Sequence, residues 1–291
     1  MPVDGAIPEA VLSIVAAATV FTVMFAIGLG IVLSEFRWVW GRPGLVAKAL
    51  FSVLIGVPVL ALIVTRAFDL GRAAQIGIVL MAISPGAPVA LRRSLAAGAH
   101  RAFAHALQIL VVMLAVVSMP VSVAVLNELY VGHATIAPGH LGWQVFTAQL
   151  LPLALGIAIR RTYPTIASRL EPKLARVATL LLILLVILVL IDFWALVVGA
   201  GFRILLAAAT VTILALIVGH ALGGPDPDTR TAVAISSAAR NTGLALLVAT
   251  LNAASPAVNA AVLAYFFVSA LTVIPYVIWR RRAAASSQRE R

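Results

Sequence analysis

Residues 180–191 read LLLILLVILVLI, at the centre of a run, 177–198, whose only charge is Asp192. An unbroken apolar stretch of about 20 residues is the length at which an α-helix crosses the hydrocarbon core of a bilayer. It does not alternate, so it is not a barrel strand, which needs roughly ten residues of alternating polarity. Eight further stretches qualify: 10–33, 46–64, 73–98, 103–126, 143–159, 204–222, 232–250 and 257–279, with 73–98 and 232–250 interrupted. Composition agrees. Hydrophobic residues make up 63% of the chain, charged residues 11%, and the mean hydropathy is +1.10. A soluble fold could not cover that much apolar side chain, because its surface needs polar atoms. The expected fold class is therefore an all-α, polytopic membrane protein with nine transmembrane helices, in contact with membrane lipid.

The net charge of +11 falls in short clusters between apolar runs, a pattern of membrane orientation rather than of a nucleic-acid groove. Arg37, Arg42 and Lys48 share one connection. Arg92, Arg93 and Arg101 flank the next, and Arg160, Arg161, Arg169, Lys173 and Arg176 are read as a loop. Arg280, Arg281, Arg282, Arg289 and Arg291 form a tail. Nine crossings place all four groups on the cytoplasmic side, with the N-terminus outside and the C-terminus inside. Trp38, Trp40, Trp143, Trp194 and Trp279 sit near segment ends, as interfacial anchors do. The first thirty residues lack a basic start and a small-residue cleavage site, so 10–33 is expected to be retained. The chain has no cysteine, which excludes thiol catalysis and thiolate metal sites.

The two interrupted segments carry the chemistry. The third contains ISPGAPVALRRSLAAG, in which Pro85 and Pro88 cannot donate backbone hydrogen bonds and Gly86 loosens the chain between them. The eighth contains AISSAARNTGLALL, which brings Ser236, Ser237, Arg240, Asn241, Thr242 and Gly243 into an apolar run. Backbone freed inside a membrane must line protein or a water-filled cavity. A charge at that depth serves a substrate or coupling function, or links to helix-end carbonyls. Two broken helices at similar places in the two halves point to a secondary transporter with inverted repeats, whose half-helix N-termini attract anions. The expected division is a first repeat over 1–130, lacking its first helix, and a second over 131–291.

These residues resemble the bile acid:sodium symporter family, whose first broken helix carries P-G-G followed by S-N and whose second reads roughly E-x-G-x-Q-N-x-G-L-A. Here the stretches are Ser84-Pro85-Gly86-Ala87-Pro88 and Ser236 through Ala245, with Gly28-Leu29 and Pro58 as further cues. The resemblance covers about 10–280. It implies a core domain of segments two, three, four, seven, eight and nine, with crossed broken helices. Segments one, five and six form a panel domain, and substrate crosses between the two by alternating access.

The resemblance also shows departures. The family's sodium-ligating Glu falls on Ser236, and its Gln ligands fall on Arg240 and Val53. Its Ser-Asn pair falls near Ala90 and Leu91, and the hydroxyls of the next helix fall near Phe103 and Leu107. The ten acidic residues lie outside the segments or near their ends. A guanidinium where a cation pocket belongs repels Na⁺ at low dielectric; Arg240 supplies internally the charge that sodium supplies elsewhere. The expected function is transport of a small organic anion without sodium. A sodium-dependent symporter, a non-transporting sensor or assembly protein, and an intramembrane enzyme are the rivals. The last lacks a base near Ser236 and Ser237. Substrate-binding candidates are Arg240, Asn241, Ser236, Ser237, Thr242, Pro85, Gly86 and Arg92; adjacent Arg92 and Arg93 cannot both face one cavity. His105 and His100 are candidates for proton coupling or for packing, while His133, His140 and His220 read as loop or helix-end residues. No metal or cofactor is expected, and the chain is expected to act as a monomer in a bacterial inner membrane.

Overall fold

The computed structural model describes residues 7–31, 36–129, 138–199, 201–252 and 254–289. Glu35 and His133 lie outside them. Among these residues there are helices and no strands. In chain order they are α1 (Glu9–Gly30), α2 (Phe36–Trp40), α3 (Pro43–Phe51), α4 (Val57–Ala67), α5 (Arg72–Ala82), α6 (Pro88–Ala96) and α7 (Arg101–Leu129). Then follow α8 (Pro138–Val145), α9 (Leu151–Thr162), α10 (Pro164–Val198), α11 (Phe202–Leu222), α12 (Pro227–Ala238), α13 (Thr242–Leu251) and α14 (Pro256–Arg289). Eight helical stretches among the described residues are long and apolar enough to cross a membrane, and α5 is a shorter apolar helix. The protein is an all-α, polytopic membrane protein.

Two crossings contain a π turn, which hydropathy could not reveal. Ser52–Gly56 joins α3 to α4, and Phe146–Leu150 joins α8 to α9. Each ends just before a proline, Pro58 and Pro152. A proline inside a helix removes the N–H that its preceding turn expects. The chain answers by widening that turn, with the Val57 N–H bonded to the Ser52 carbonyl and the Leu151 N–H to that of Phe146.

The basic stretch 160–176 is not a loop. Apart from Tyr163, it is helical, because α9 runs to Thr162 and α10 starts at Pro164. Proline suits the first helical turn, and Arg, Lys and Glu propagate helix well, so α10 extends beyond its apolar part. For the same reason α14 continues through the basic tail to Arg289. Arg280 is buried there, donating from Nε to Thr231 Oγ1 at 2.8 Å and from Nη2 to the Pro227 carbonyl at 2.8 Å. Trp40, Trp143 and Trp279 are exposed as anchors should be. Trp38 instead stacks on His100 and carries the Arg42 guanidinium 4.0 Å above its ring.

Two sets of helices pack closely, and they meet each other where α10 lies on α14 and α1 on α13. α1 lies against α9 and α10, while α4, α5, α11, α12 and α14 pack on one another, with α6 and α7 against α12. α1 and α9 touch backbone to backbone at Gly28 and Gly156: a Cβ on Gly28 would sit 2.4 Å from the Leu153 carbonyl oxygen. Lipid tails give helices no hydrophobic reason to associate, so such small-residue contacts hold the pair by close packing. The apolar window of the α12–α13 stretch is buried throughout, against 28–39% in the other seven. Its polar residues therefore meet protein or cavity rather than lipid.

Candidate functional site

Both interrupted segments are broken helices, and the breaks touch. Between α5 and α6 the chain leaves the helix over residues 83–87, where Gly86 has φ +81°. A Cβ there would be strained by the backbone and would sit 2.7 Å from Val112 Cγ2. Between α12 and α13 the break is confined to residues 239–241. It is shorter than the polar run implied, because Ser236 and Ser237 keep helical backbone in α12, where serine is tolerated. The Asn241 N–H donates to the Ser84 carbonyl at 2.9 Å, and this bond joins the two breaks. Ser84 Oγ turns back to the Leu80 carbonyl, satisfying a group at the end of α5.

Gln108, on α7, was not legible as a site residue. It is buried and donates from Nε2 to the Gly86 carbonyl at 2.9 Å. The available signal was a lone amide in the apolar run FAHALQILVVML. Ser237 Oγ lies 2.8 Å from Ser52 Oγ, so it ties α12 to the first π turn.

Arg240 occupies the second break, only 4% exposed. Its Nη1 donates to the Val53 carbonyl at 2.9 Å. That carbonyl is free for a reason set by sequence. In the π register Val57 bonds Ser52, so the next donor, due to Val53, belongs to Pro58, which has no N–H. Arg240 replaces it. The Val53 backbone, rather than its side chain, makes the contact. Arg240 Nε and Nη2 have no partner, and neither does Asn241 Nδ2, while Asn241 Oδ1 caps α13 by accepting from the Leu244 N–H. The site thus offers three unmatched donors at the N-terminus of a ten-residue helix. Helix dipole and donors both favour an anion. Tyr265, buried on α14, is an electrostatic neighbour of the guanidinium.

Arg240 and Asn241 line a cavity of about 390 Å³, with the unmatched donor atoms themselves enclosed beside it. One wall is α1, from Thr19 to Ile31, with α10; the other is formed by Ala87, α6, α7 and the second break. Of the expected site residues, Arg240, Asn241, Thr242, Arg92 and His105 line it, as does Gly243. Arg93 does not. Pro85 and Gly86 shape the first break behind the cavity. Ser236 is buried in α12 beside Ser237. His100 caps α7, with Nδ1 accepting from the Phe103 N–H at 3.3 Å, and it is not among the lining residues. His220, at the end of α11, is 2.8 Å from the Tyr276 hydroxyl through Nδ1.

Glu171 also lines the cavity. It falls in the stretch expected to be a loop; the helical start of α10 carries it to the cavity wall. Among the described residues, no cluster of three or more His, Asp or Glu is placed to hold a metal ion.

No curated protein matches the chain. The model of the sodium bile acid symporter family matches residues 17–200, more than half of the chain, which includes the first broken helix and ends before the second. With broken helices in contact and a cavity between two helix groups already in view, that match shows that the chain belongs to the sodium bile acid symporter family.

Proposed function

We propose that this member of a secondary-transporter family moves a small organic anion across the membrane by alternating access, without sodium. The observation that carries the reading is the state of Arg240. Its guanidinium is buried, bonded once to Val53, and leaves two enclosed donors unmatched next to the cavity that Arg240 lines. A carboxylate fits this set, since it accepts a planar pair of N–H groups. A ligand that is only a donor leaves these groups unpaired. Sodium does not fit, because a cation meets a fixed positive charge at short range, and the position of the family's acidic ligand is the hydroxyl of Ser236. The tethered guanidinium does the electrostatic work of a co-transported cation.

In this reading the α5–α6 pair makes a ninth crossing in series with the eight long ones. The helices α1, α8, α9 and α10 form the panel and the remaining crossings form the core. The halves 1–130 and 131–291 are inverted repeats, and the protein works as a monomer in a bacterial inner membrane. The basic ends of α6, α9, α10 and α14 face the cytoplasm. Of the two histidines considered for proton coupling, His105 is the one on the cavity wall.

The test is binding and uptake of pyruvate, benzoate and cholate by the purified protein in liposomes, with Na⁺ exchanged for choline or K⁺. The expected result is that affinity for whichever acid binds stays within about two-fold. A ten-fold gain in Na⁺ would return the chain to the sodium-coupled class.

A further inference from the structure

The charges on the cavity wall fall into two sets. Arg240 is at the floor. Arg92 on α6, Arg101 at the start of α7 and Glu171 on α10 also line it, and their exposure, greater for the two arginines and partial for Glu171, sets them toward the mouth. The separation of floor and mouth is readable along α1. A Cβ on Gly243 would touch Val20 Cγ2 at 3.3 Å, and a Cβ on Gly30 would lie 3.6 Å from Glu171 Cγ. The ten residue steps from Val20 to Gly30 span about 15 Å of helix.

Glu171 heads a stripe on α10, continued by Ala175, Ala178, Thr179 and Leu182, that turns one face to the cavity. It is the one carboxylate among the described lining residues. Arg92 faces the same space from α6 and is exposed, while Glu171 is half-buried. The ion pair found among the described residues is Arg42 with Asp226 at 3.8 Å; Glu171 and Arg92 are not paired with each other. They stand on different packing groups, α10 with α1 and α9, α6 with α12 and α7. A carboxylate at the mouth of a cavity with an anion-binding floor repels an entering anion. It is too far from the floor to position a small ligand there. An opposite charge, Arg92, lines the same cavity from the other group.

We infer that Glu171 and Arg92 are the two halves of a clasp that shuts the cavity mouth. When the α1–α9–α10 group and the α6–α7 side approach each other, the carboxylate takes the guanidinium and leaves the water it now shares with the opening. Arg101 lines the same cavity as a second cation. The inference rests on the transporter reading above, since only a cycling protein closes this mouth.

The chain has no cysteine, so the pair Glu171→Cys and Arg92→Cys can be introduced cleanly and treated in membranes with thiol-cleavable bifunctional reagents of graded length. The expected result is that a short reagent links the two positions within one chain. Linked protein loses at least ten-fold of its binding of the acid among pyruvate, benzoate and cholate when that acid is offered from the mouth side, and recovers it when the link is cleaved. Separately, Glu171→Gln keeps binding within two-fold and lowers uptake at least ten-fold. Arg92→Glu restores most of the uptake lost in Glu171→Arg. Both cysteines reacting singly but never linking, or Glu171→Gln transporting like wild type, overturns the clasp. If no acid is bound or moved by the wild type, the transporter reading fails instead, and the linking result alone decides whether the mouth closes.

Discussion

Replacing Arg240 by methionine separates a binding role from a structural one, because the two make opposite demands on stability. The wild-type guanidinium is 4% exposed and has one hydrogen bond, to the Val53 carbonyl. Burying a charged group costs several kcal/mol even after relaxation, and one bond recovers part of that. Methionine removes the charge and fills similar space. It also leaves the Val53 carbonyl without a donor, since Pro58 has none to give, at a cost of about 1–3 kcal/mol. The relief of desolvation outweighs that loss, so Arg240→Met unfolds, free of ligand, at the wild-type temperature or a few degrees above it. Binding moves the other way. Losing a buried, charge-assisted partner costs about 2–5 kcal/mol, which weakens carboxylate affinity from roughly 30-fold to several thousandfold. Arg240→Lys keeps the charge but not the planar fork, and binds about 10–100-fold more weakly than wild type. The assay is thermal unfolding of the purified protein in detergent alongside calorimetric titration with the acid that binds. A midpoint several degrees lower in Arg240→Met, with affinity unchanged, would falsify the reasoning and make Arg240 a clamp on the π turn.

Gly86→Ala places a side chain at φ +81° and 2.7 Å from Val112 Cγ2; a loss of about 1–3 kcal/mol is expected in denaturant titration, with uptake falling as the break shifts. Gln108→Leu removes the donor to the Gly86 carbonyl and is expected to cost about 1–3 kcal/mol, whereas Gln108→Glu, which cannot donate when ionised, fails similarly; a wild-type midpoint in both would remove Gln108 from the support of the first break. Gly28→Val drives a side chain into the Leu153 carbonyl and is expected to reduce the yield of folded protein in membranes, with Gly28→Ala milder. Single cysteines at Gly139 and Ser168 should label from opposite faces of the membrane; labelling from one face would break the nine-crossing topology.

The sequence by itself determined that the chain is helical and lives in lipid, because apolar runs of membrane length leave no other fold. It also located both breaks, since prolines, glycine and a polar cluster inside such runs have no other physical meaning. Arg240 was legible as a candidate for the same reason: a charge at that depth needs a partner. What that partner is, sequence could not say. The Val53 carbonyl is freed by a π turn that depends on Pro58, and neither backbone carbonyls nor helix widening are written in side-chain chemistry. Gln108 was passed over because a single amide in an apolar helix is uninformative until the Gly86 carbonyl, 22 residues away in sequence, is seen beside it. Glu171 was misjudged because hydropathy ends a helix where polarity begins, whereas the backbone of α10 continues through charged residues back to Pro164. Only the packing of α10 against α1 decided that this carboxylate shares a cavity with Arg92 and Arg240, since which faces of two helices meet depends on contacts between distant segments.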